Sequence, residues 1–398
     1  MFTALLLTAI PFAAGPAVAA PSLAPASSAF EANLRAVQEG RPDLVVIRGR
    51  RDAEVPVAGT IVEARLDEVV IEVDGKETGY KADKVLRIQL NRVPREFEDG
   101  EKHLKARRFA EAATAFKDVA DTSSVRTPVR AVALLQAIEA EIGLSGSDAA
   151  ALGRARSLAD RFVSDFSDHR DLPLARRWQA RLAHLVGEFG AAADGYAALF
   201  GEFDGTQAKT GYEPIACLEA GLAGAHAALE GDDASKARDL FAALEEKSTA
   251  LAASLEATDP LAAQAQALRE RAQLGEGWIL LQSDKGTQAR SFFKSRVDGS
   301  QLSTAQARFE ARIGLARGFE TGGEPRAAQL EYAIVSATAF GDRDLVARAL
   351  LGQAATTLTL GDTDARILAK QWLGAILDRF PDTPSARPAR ELLATLGE

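Results

Sequence analysis

The chain has 398 residues with a formal net charge of −9, and alanine makes up about a fifth of it, whereas it contains 1 cysteine and 4 histidines. One cysteine excludes an intrachain disulfide and a cysteine-rich zinc site, and four scattered histidines leave little for a histidine-based metal centre. The negative charge opposes non-specific binding to nucleic acid or anionic lipid. Hydrophobic residues at 47% and charged residues at 26% are typical of a globular protein, which excludes wholesale disorder.

An apolar run at the N-terminus predicts a secretory signal peptide over residues 1–20. The run is broken by two prolines and a glycine and is too short for a spanning helix of about 20 residues. It ends in Ala17-Val18-Ala19, which fits the small-residue cleavage pattern. No lysine or arginine precedes Arg35, so an alanine-rich tail is the alternative, and a start codon further upstream would supply the missing basic region. We expect an exported, soluble protein, periplasmic or extracellular, with a linker over 21–40.

A small β module follows over residues 41–93. Val69, Ile71 and Val73 alternate with acidic residues, as half-buried strands require, and Asp74-Gly75 is typical of a tight hairpin turn. The rhythm of the strands resembles the short SH3-like or Sm-like barrels of bacterial envelope proteins. That resemblance implies a small antiparallel barrel or sheet that binds peptides, or RNA in the Sm case. Ten basic and ten acidic residues balance in this module, which argues against RNA.

The spacing of apolar residues changes to a period of 3.6 residues from Arg95 onward, and strong helix formers dominate residues 94–398. One sequence pattern recurs there: a small residue is followed four positions later by an aromatic or apolar one. Seven copies begin at Ala112, Ala155, Ala192, Ala237, Ala289, Ala328 and Ala369, with separations of 37 to 52 residues. A repeat of this length predicts paired helices that stack into a solenoid.

These units resemble tetratricopeptide repeats. Gly100, Phe109, Ala112 and Phe116 stand at places 8, 17, 20 and 24 of that pattern. Ala180, Phe189, Ala192 and Tyr196 match the same places, and Pro381 closes the last unit. Most units lack the closing proline, and their spacing is irregular. The resemblance implies a right-handed α-solenoid of about seven hairpins, preceded by the small β module, with first helices that line a concave, peptide-binding groove.

Loop and cap residues agree with these boundaries. Asp171 and Asp259 each precede a helix with proline in its first turn, so both are expected to cap it. The segment 201–211 is the longest interruption and is expected to divide the array in two. Glycines near the ends of first helices are expected to be left-handed: Gly146, Gly187, Gly231, Gly286, Gly322-Gly323 and Gly361.

Motifs for catalysis, nucleotide binding and metal binding are missing from the sequence, so we predict no enzymatic activity, no cofactor and no metal. The candidate binding residues lie on predicted first helices. Arg177, Arg181 and His184 share one face at i, i+4 and i+7, which in the resembling family lines the concave groove, so we expect a basic spot that receives an acidic or C-terminal peptide group. Trp278 and Arg317 lie on later first helices. The alternatives are a solvated charged face for the first three residues and a core position for the tryptophan.

These observations predict a non-enzymatic scaffold or adaptor of the bacterial cell envelope that binds a protein or peptide. The net charge divides into −1 over residues 1–40, zero over the β module and −8 over the helices, which favours a neutral or basic partner. A self-assembling structural component is one alternative. An enzyme or accessory subunit built on helical hairpins is another, and the scarcity of tyrosine and histidine argues against it.

Overall fold

The computed structural model describes residues 42–49, 53–148 and 150–397. The predicted signal peptide at 1–20 and linker at 21–40 lie outside these residues. A small antiparallel sheet comes first and α-helices follow, which confirms the predicted fold class. Among the described residues, no helix is both long and apolar enough to cross a membrane.

The sheet is a five-stranded antiparallel one within the described part of the chain, in the order β4-β3-β2-β1-β5. Its strands are β1 (Asp43–Arg48), β2 (Glu54–Ala64), β3 (Glu68–Val73), β4 (Lys76–Lys81) and β5 (Val85–Gln89). Asp74 and Gly75 have φ of 51° and 75°, so the Asp-Gly turn forms as expected. Val45, Ile61 and Ile71 are fully buried at the centre of the sheet's core.

The helices pack as successive hairpins. Their bounds are α1 (Arg95–Lys105), α2 (Phe109–Asp121), α3 (Thr127–Leu144), α4 (Ala151–Asp165), α5 (Leu172–Leu185), α6 (Phe189–Gly201), α7 (Pro214–Glu230), α8 (Ala234–Ser254), α9 (Pro260–Ala272), α10 (Gly275–Gln282), α11 (Gly286–Asp298), α12 (Ala305–Thr321), α13 (Pro325–Thr338), α14 (Arg343–Leu360), α15 (Ala365–Arg379) and α16 (Ala386–Thr395). Each predicted unit is one hairpin. In the fifth unit the first helix is broken into α9 and α10, which accounts for its length, and α16 packs against α15 at the end of the array.

Small residues hold the hairpins together, as the repeat predicts. The seven alanines that define the units are all fully buried. A Cβ atom added to Gly100 on α1 would lie 2.8 Å from the ring of Phe116 on α2. A Cβ atom on Gly352 of α14 would lie only 2.3 Å from the ring of Tyr332 on the preceding α13. The aromatic residue thus packs on a glycine of its own hairpin in the first unit, and on a glycine of the next hairpin in the sixth.

The turns inside the hairpins correct part of the expected glycine pattern. Gly187, Gly323 and Gly361 are left-handed as expected, whereas Gly146, Gly231, Gly286 and Gly322 are not. Asp232 and Asp284 adopt the left-handed conformation in two of those turns, with φ of 61° and 55°. Aspartate tolerates this conformation because its short carboxylate hydrogen-bonds locally.

The two expected caps and the expected division of the array have different outcomes. Asp259 accepts a hydrogen bond from Leu261 N at 2.8 Å and caps α9, but Asp171 makes no side-chain cap on α5.

The segment 201–211 does not divide the array, and that prediction was wrong. One apolar cluster continues from α5 to α14 across it, because Phe200 at the end of α6 packs against Gly221 on α7.

The first three hairpins are covered at both ends of their helices. The β module lies on the turns that join one hairpin to the next: Leu66 N donates to Asp168 O at 2.8 Å, and Arg126 reaches Asp43 at 2.5 Å. Helices α15 and α16 lie on the opposite turns, which are inside the hairpins. There, Arg390 donates to Ser145 O at 3.0 Å. The helical array thus curves until its last hairpin touches its first three.

Candidate functional site

The candidate site is a stripe of polar side chains along the inner first helices. Four of its members lie eleven residues before the small residue that defines their unit, and three lie seven residues earlier still. Seven residues are two helical turns, so both positions share one face. We call this set the inner stripe: Arg181, Glu219, His226, Arg271, Trp278, Glu310 and Arg317.

Glu310 on α12 is the centre of the inner stripe. Its carboxylate is fully buried, and it accepts hydrogen bonds at 2.5 Å from Arg271 on α9 and pairs at 2.8 Å with His226 on α7. Arg348 on α14 approaches the same carboxylate to 3.6 Å. Side chains from three other inner helices therefore converge on one buried acid, which ties the fourth to the seventh hairpin.

Burial and charge set the protonation of this cluster. Burial alone would raise the pKa of Glu310, but Arg271, His226 and Arg348 outweigh it and hold that pKa well below its ordinary value. Burial lowers the pKa of His226, against the opposing effect of Glu310. A charged carboxylate therefore faces a histidine whose neutral form is favoured. Charge and hydrogen bonds therefore hold these side chains, and the helices that carry them, in fixed positions.

Arg181 is the predicted binding residue that forms an ion pair and a hydrogen bond with the C-terminal end of the array. Its guanidinium lies 2.8 Å from Asp344 at the start of α14, and it donates to the backbone oxygen of Asp382. The side chain is only 14% exposed. Burial raises the pKa of the neighbouring Tyr196 to about 12, despite the opposing charge of Arg181, so this hydroxyl stays protonated. Arg181 thus links the third hairpin directly to the last.

Arg177 and His184 flank Arg181 on α5 as the spacing predicts. Arg177 pairs with Glu219 on α7 at 3.0 Å and keeps 37% of its side chain exposed. His184 is buried, and its Nε2 lies 3.1 Å from the carboxylate of Glu230. The two groups are close enough for an ion pair, but their orientation does not make a hydrogen bond. Burial opposes ionisation of Glu230, yet the pKa of that carboxyl is lowered because His184 lies beside it.

Trp278 and Arg317 occupy equivalent positions with opposite exposure. Trp278 is 7% exposed, its ring lies edge-on to that of His226 at 5.6 Å, and the guanidinium of Arg348 stacks over it at 4.8 Å. Its indole N–H has no hydrogen-bond partner among the residues that the structure describes. Arg317 is 62% exposed, and its closest acid is Glu320 at 3.6 Å. Arg177 and Arg317 are therefore the two accessible cations among the five predicted residues, whose binding role stays a prediction.

Sequence reasoning missed Glu219, His226, Arg271 and Glu310, and the signal that would have found them is positional. Each lies eleven or eighteen residues before a repeat-defining alanine, in the same register as Arg181, Trp278 and Arg317. Arg348 and Asp344 follow no such register: Arg348 reaches the stripe because its hairpin stacks on that of Glu310, and Asp344 reaches Arg181 because the array curves. Among the described residues no group of three or more His, Cys, Asp or Glu side chains is arranged to hold a metal ion.

Comparison with known proteins gives structural likeness only. No protein-family model and no curated protein matches the chain. A tetratricopeptide repeat protein from Parabacteroides merdae is 12% identical, with a TM-score of 0.44, over 76% of this chain and 98% of that one. The apo form of RapI is 10% identical, with a TM-score of 0.35, over 75% and 86%. The P58(IPK) TPR domain is 16% identical, with a TM-score of 0.27, over 76% and 97%. The fold described above is tetratricopeptide-like on its own evidence, the paired helices and the small residues between them.

Proposed function

We propose that this protein is a non-enzymatic interaction scaffold of the bacterial envelope that binds a protein or peptide along the inner face of its helical array. The observation that carries the proposal is the chemistry of that face. Charged side chains from successive inner helices line it, and Arg177, Glu230 and Arg317 remain 37%, 44% and 62% exposed. Groups fixed in place on rigid helices bind a charged partner without first losing conformational freedom.

The accessible cations define what the partner presents to this face. Arg177 and Arg317 would receive acidic side chains or a terminal carboxylate, which guanidinium groups bind through paired hydrogen bonds. The array as a whole carries −8, so the rest of the partner surface is neutral or basic. We therefore propose a partner with a local acidic segment on an otherwise neutral or basic surface.

Chemical cross-linking and capture from native envelope tests the binding face. The double variant Arg177→Glu and Arg317→Glu is expected to recover at least about tenfold less partner, the equivalent of about 1.4 kcal/mol of binding free energy. The double variant Arg238→Glu and Arg326→Glu, on the exposed faces of α8 and α13, is the matched control, because it makes the same change of charge away from the inner face. Equal recovery by the double variant and the wild type would contradict the proposal, as would equal loss in the control.

Export is a separate part of the proposal and has its own test. Peptide sequencing of the protein from a bacterial envelope fraction is expected to give a mature N-terminus within one residue of Ala20, next to the cleavage pattern. Recovery of the chain from the cytoplasm with its first residues intact would contradict export. A solution mass in the range of large polymers would instead favour the self-assembling alternative.

A further inference from the structure

A polar seam joins the two ends of the helical array. Arg107, in the turn between α1 and α2, pairs with Asp378 near the end of α15 at 2.8 Å. Arg181 pairs with Asp344, and the guanidinium of Arg387 on α16 stacks over the ring of Phe189 at 5.0 Å. The seam consists of Arg107, Ser145, Arg181 and Phe189 on the first three hairpins and of Asp344, Asp378, Asp382, Arg387 and Arg390 at the C-terminal end.

The seam differs from the other joints of the array because charge dominates it. Arg107 and Asp378 are 50% and 64% exposed, so water surrounds their contact. Within the described residues, the apolar cluster of the first three hairpins contains no residue of helices α14 to α16. Hairpins that are neighbours along the chain are instead joined by apolar packing, in one cluster from α1 to α5 and in a second from α5 to α14.

The energetics of such a seam make it reversible. Each exposed ion pair contributes about 0 to 1 kcal/mol, and salt screens it strongly. Arg181 is the exception, since its 14% exposed guanidinium would lose partners that replace its hydration. A few weak contacts and one stronger contact give a closure that competing charges can release.

We propose that the C-terminal hairpin, α14 and α15 together with α16, is an electrostatic latch. It closes the helical array onto its first three hairpins and opens when the charges of the seam are screened or reversed. Opening would leave the hairpins themselves intact, because the apolar clusters that hold neighbouring hairpins together run along the chain. It would also free Arg181 and Asp344 to pair with a bound partner. That last step rests on the proposed function, whereas the latch is a property of the chain alone.

A distance measurement across the seam tests the latch without any partner. Spin labels at Lys105→Cys and Gln371→Cys, in a Cys217→Ala background, report the separation by pulsed electron resonance. Both label sites are exposed and outside the seam. At about 0.01 M salt, where the Debye length is about 30 Å, we expect one short distance; at about 1 M, where it is about 3 Å, we expect a population longer by at least a helix diameter of about 10 Å.

Charge variants assign the effect to the seam. Asp378→Arg is expected to produce the longer distance at low salt, and adding Arg107→Glu is expected to restore the shorter one. Asp121→Arg is the matched control, since its partner Arg161 lies within the first three hairpins. A distance that stays short at high salt or in Asp378→Arg would overturn the proposal, and so would an equal shift in the control. Neither result depends on the proposed function, which its own capture experiment tests.

Discussion

The first three hairpins carry a cover at each end of their helices, and the two covers are attached by different chemistry. The β module is held by a buried carboxylate and by backbone hydrogen bonds. Asp43 is fully buried and accepts from Ile61 N at 2.9 Å and Asn91 N at 2.8 Å, besides its ion pair with Arg126. The C-terminal hairpin is held by side chains that are mostly in contact with water. The β module is therefore a fixed part of the structure, whereas the contact of the C-terminal hairpin is reversible.

With both kinds of contact, one repeat array can be stable at one end of its hairpins and responsive at the other. Breaking a backbone hydrogen bond or a desolvated ion pair costs much free energy, because the groups are left buried and unpaired. Breaking an exposed ion pair costs little free energy, because water and salt replace each partner. The position of the charges decides which end of the hairpins moves.

Asp43→Ala should have the largest effect, since it breaks the fixed cover. Removing the carboxylate leaves Arg126 and backbone N–H groups without their buried acceptor, and we expect a loss of about 3 to 5 kcal/mol in unfolding free energy. Urea denaturation measures it. Asp67→Ala is the control in the same module, with a side chain 69% exposed, and should cost less than about 1 kcal/mol. Similar losses in both variants would contradict the assigned role of Asp43.

Gly352→Ala tests the third kind of joint, the close packing between neighbouring hairpins. The added methyl would lie 2.3 Å from the ring of Tyr332, so helices α13 and α14 must separate, and we expect a loss of about 3 kcal/mol. Gly374→Ala is its counterpart on α15, where the added methyl would have no neighbour within 4 Å in the described part of the chain, and should stabilise by about 0.5 to 1 kcal/mol. Thermal unfolding of the pair decides this, and two changes of the same sign would refute the packing argument.

Glu270 joins α9 to α12 inside the array and should show the smallest of these effects together with a pH dependence. Its carboxylate accepts from the N–H and hydroxyl groups of Ser303 and Thr304. Burial opposes ionisation, but these donors lower its pKa to about 2 from 4.5. Its contribution to stability is therefore complete above about pH 4.5 and disappears as the pH falls towards 2. Glu270→Gln should cost about 1 to 2 kcal/mol, because the amide keeps one acceptor oxygen.

Comparing unfolding of the Glu270→Gln variant with that of the wild type across pH checks this prediction. The difference between them should shrink as the solution is acidified from pH 4.5. A difference that is constant from neutral pH down to pH 3 would rule out the carboxylate as its source.

The sequence was sufficient to predict the local features of this fold. The alternation around Val69 and the turn at Asp74 predicted the β module, and the small and aromatic pairs such as Ala112 and Phe116 predicted the hairpins, because these patterns act over a few residues. Closure of the array depends on the sum of many small rotations between hairpins. No short segment encodes that sum, so the pairing of Arg181 with Asp344 was not foreseen.

The candidate site was predicted in part for the same reason. Arg177, Arg181 and His184 were found by helical spacing on one helix. The convergence of His226, Arg271 and Arg348 on Glu310 joins residues from four helices. Individually each is a polar residue on a helix, and only the stacking of hairpins makes them one cluster.

An engineered disulfide tests most directly whether the last hairpin touches the first three. A Cβ atom on Gly146 would lie 3.8 Å from Cβ of Leu377 on α15, within the range of about 3.5 to 4.5 Å that disulfides require. In a Cys217→Ala background, Gly146→Cys combined with Leu377→Cys should form an intramolecular disulfide under mild oxidation at low salt, detected by mass spectrometry of the linked peptides. Two free thiols in the folded, oxidised double variant would contradict closure of the array.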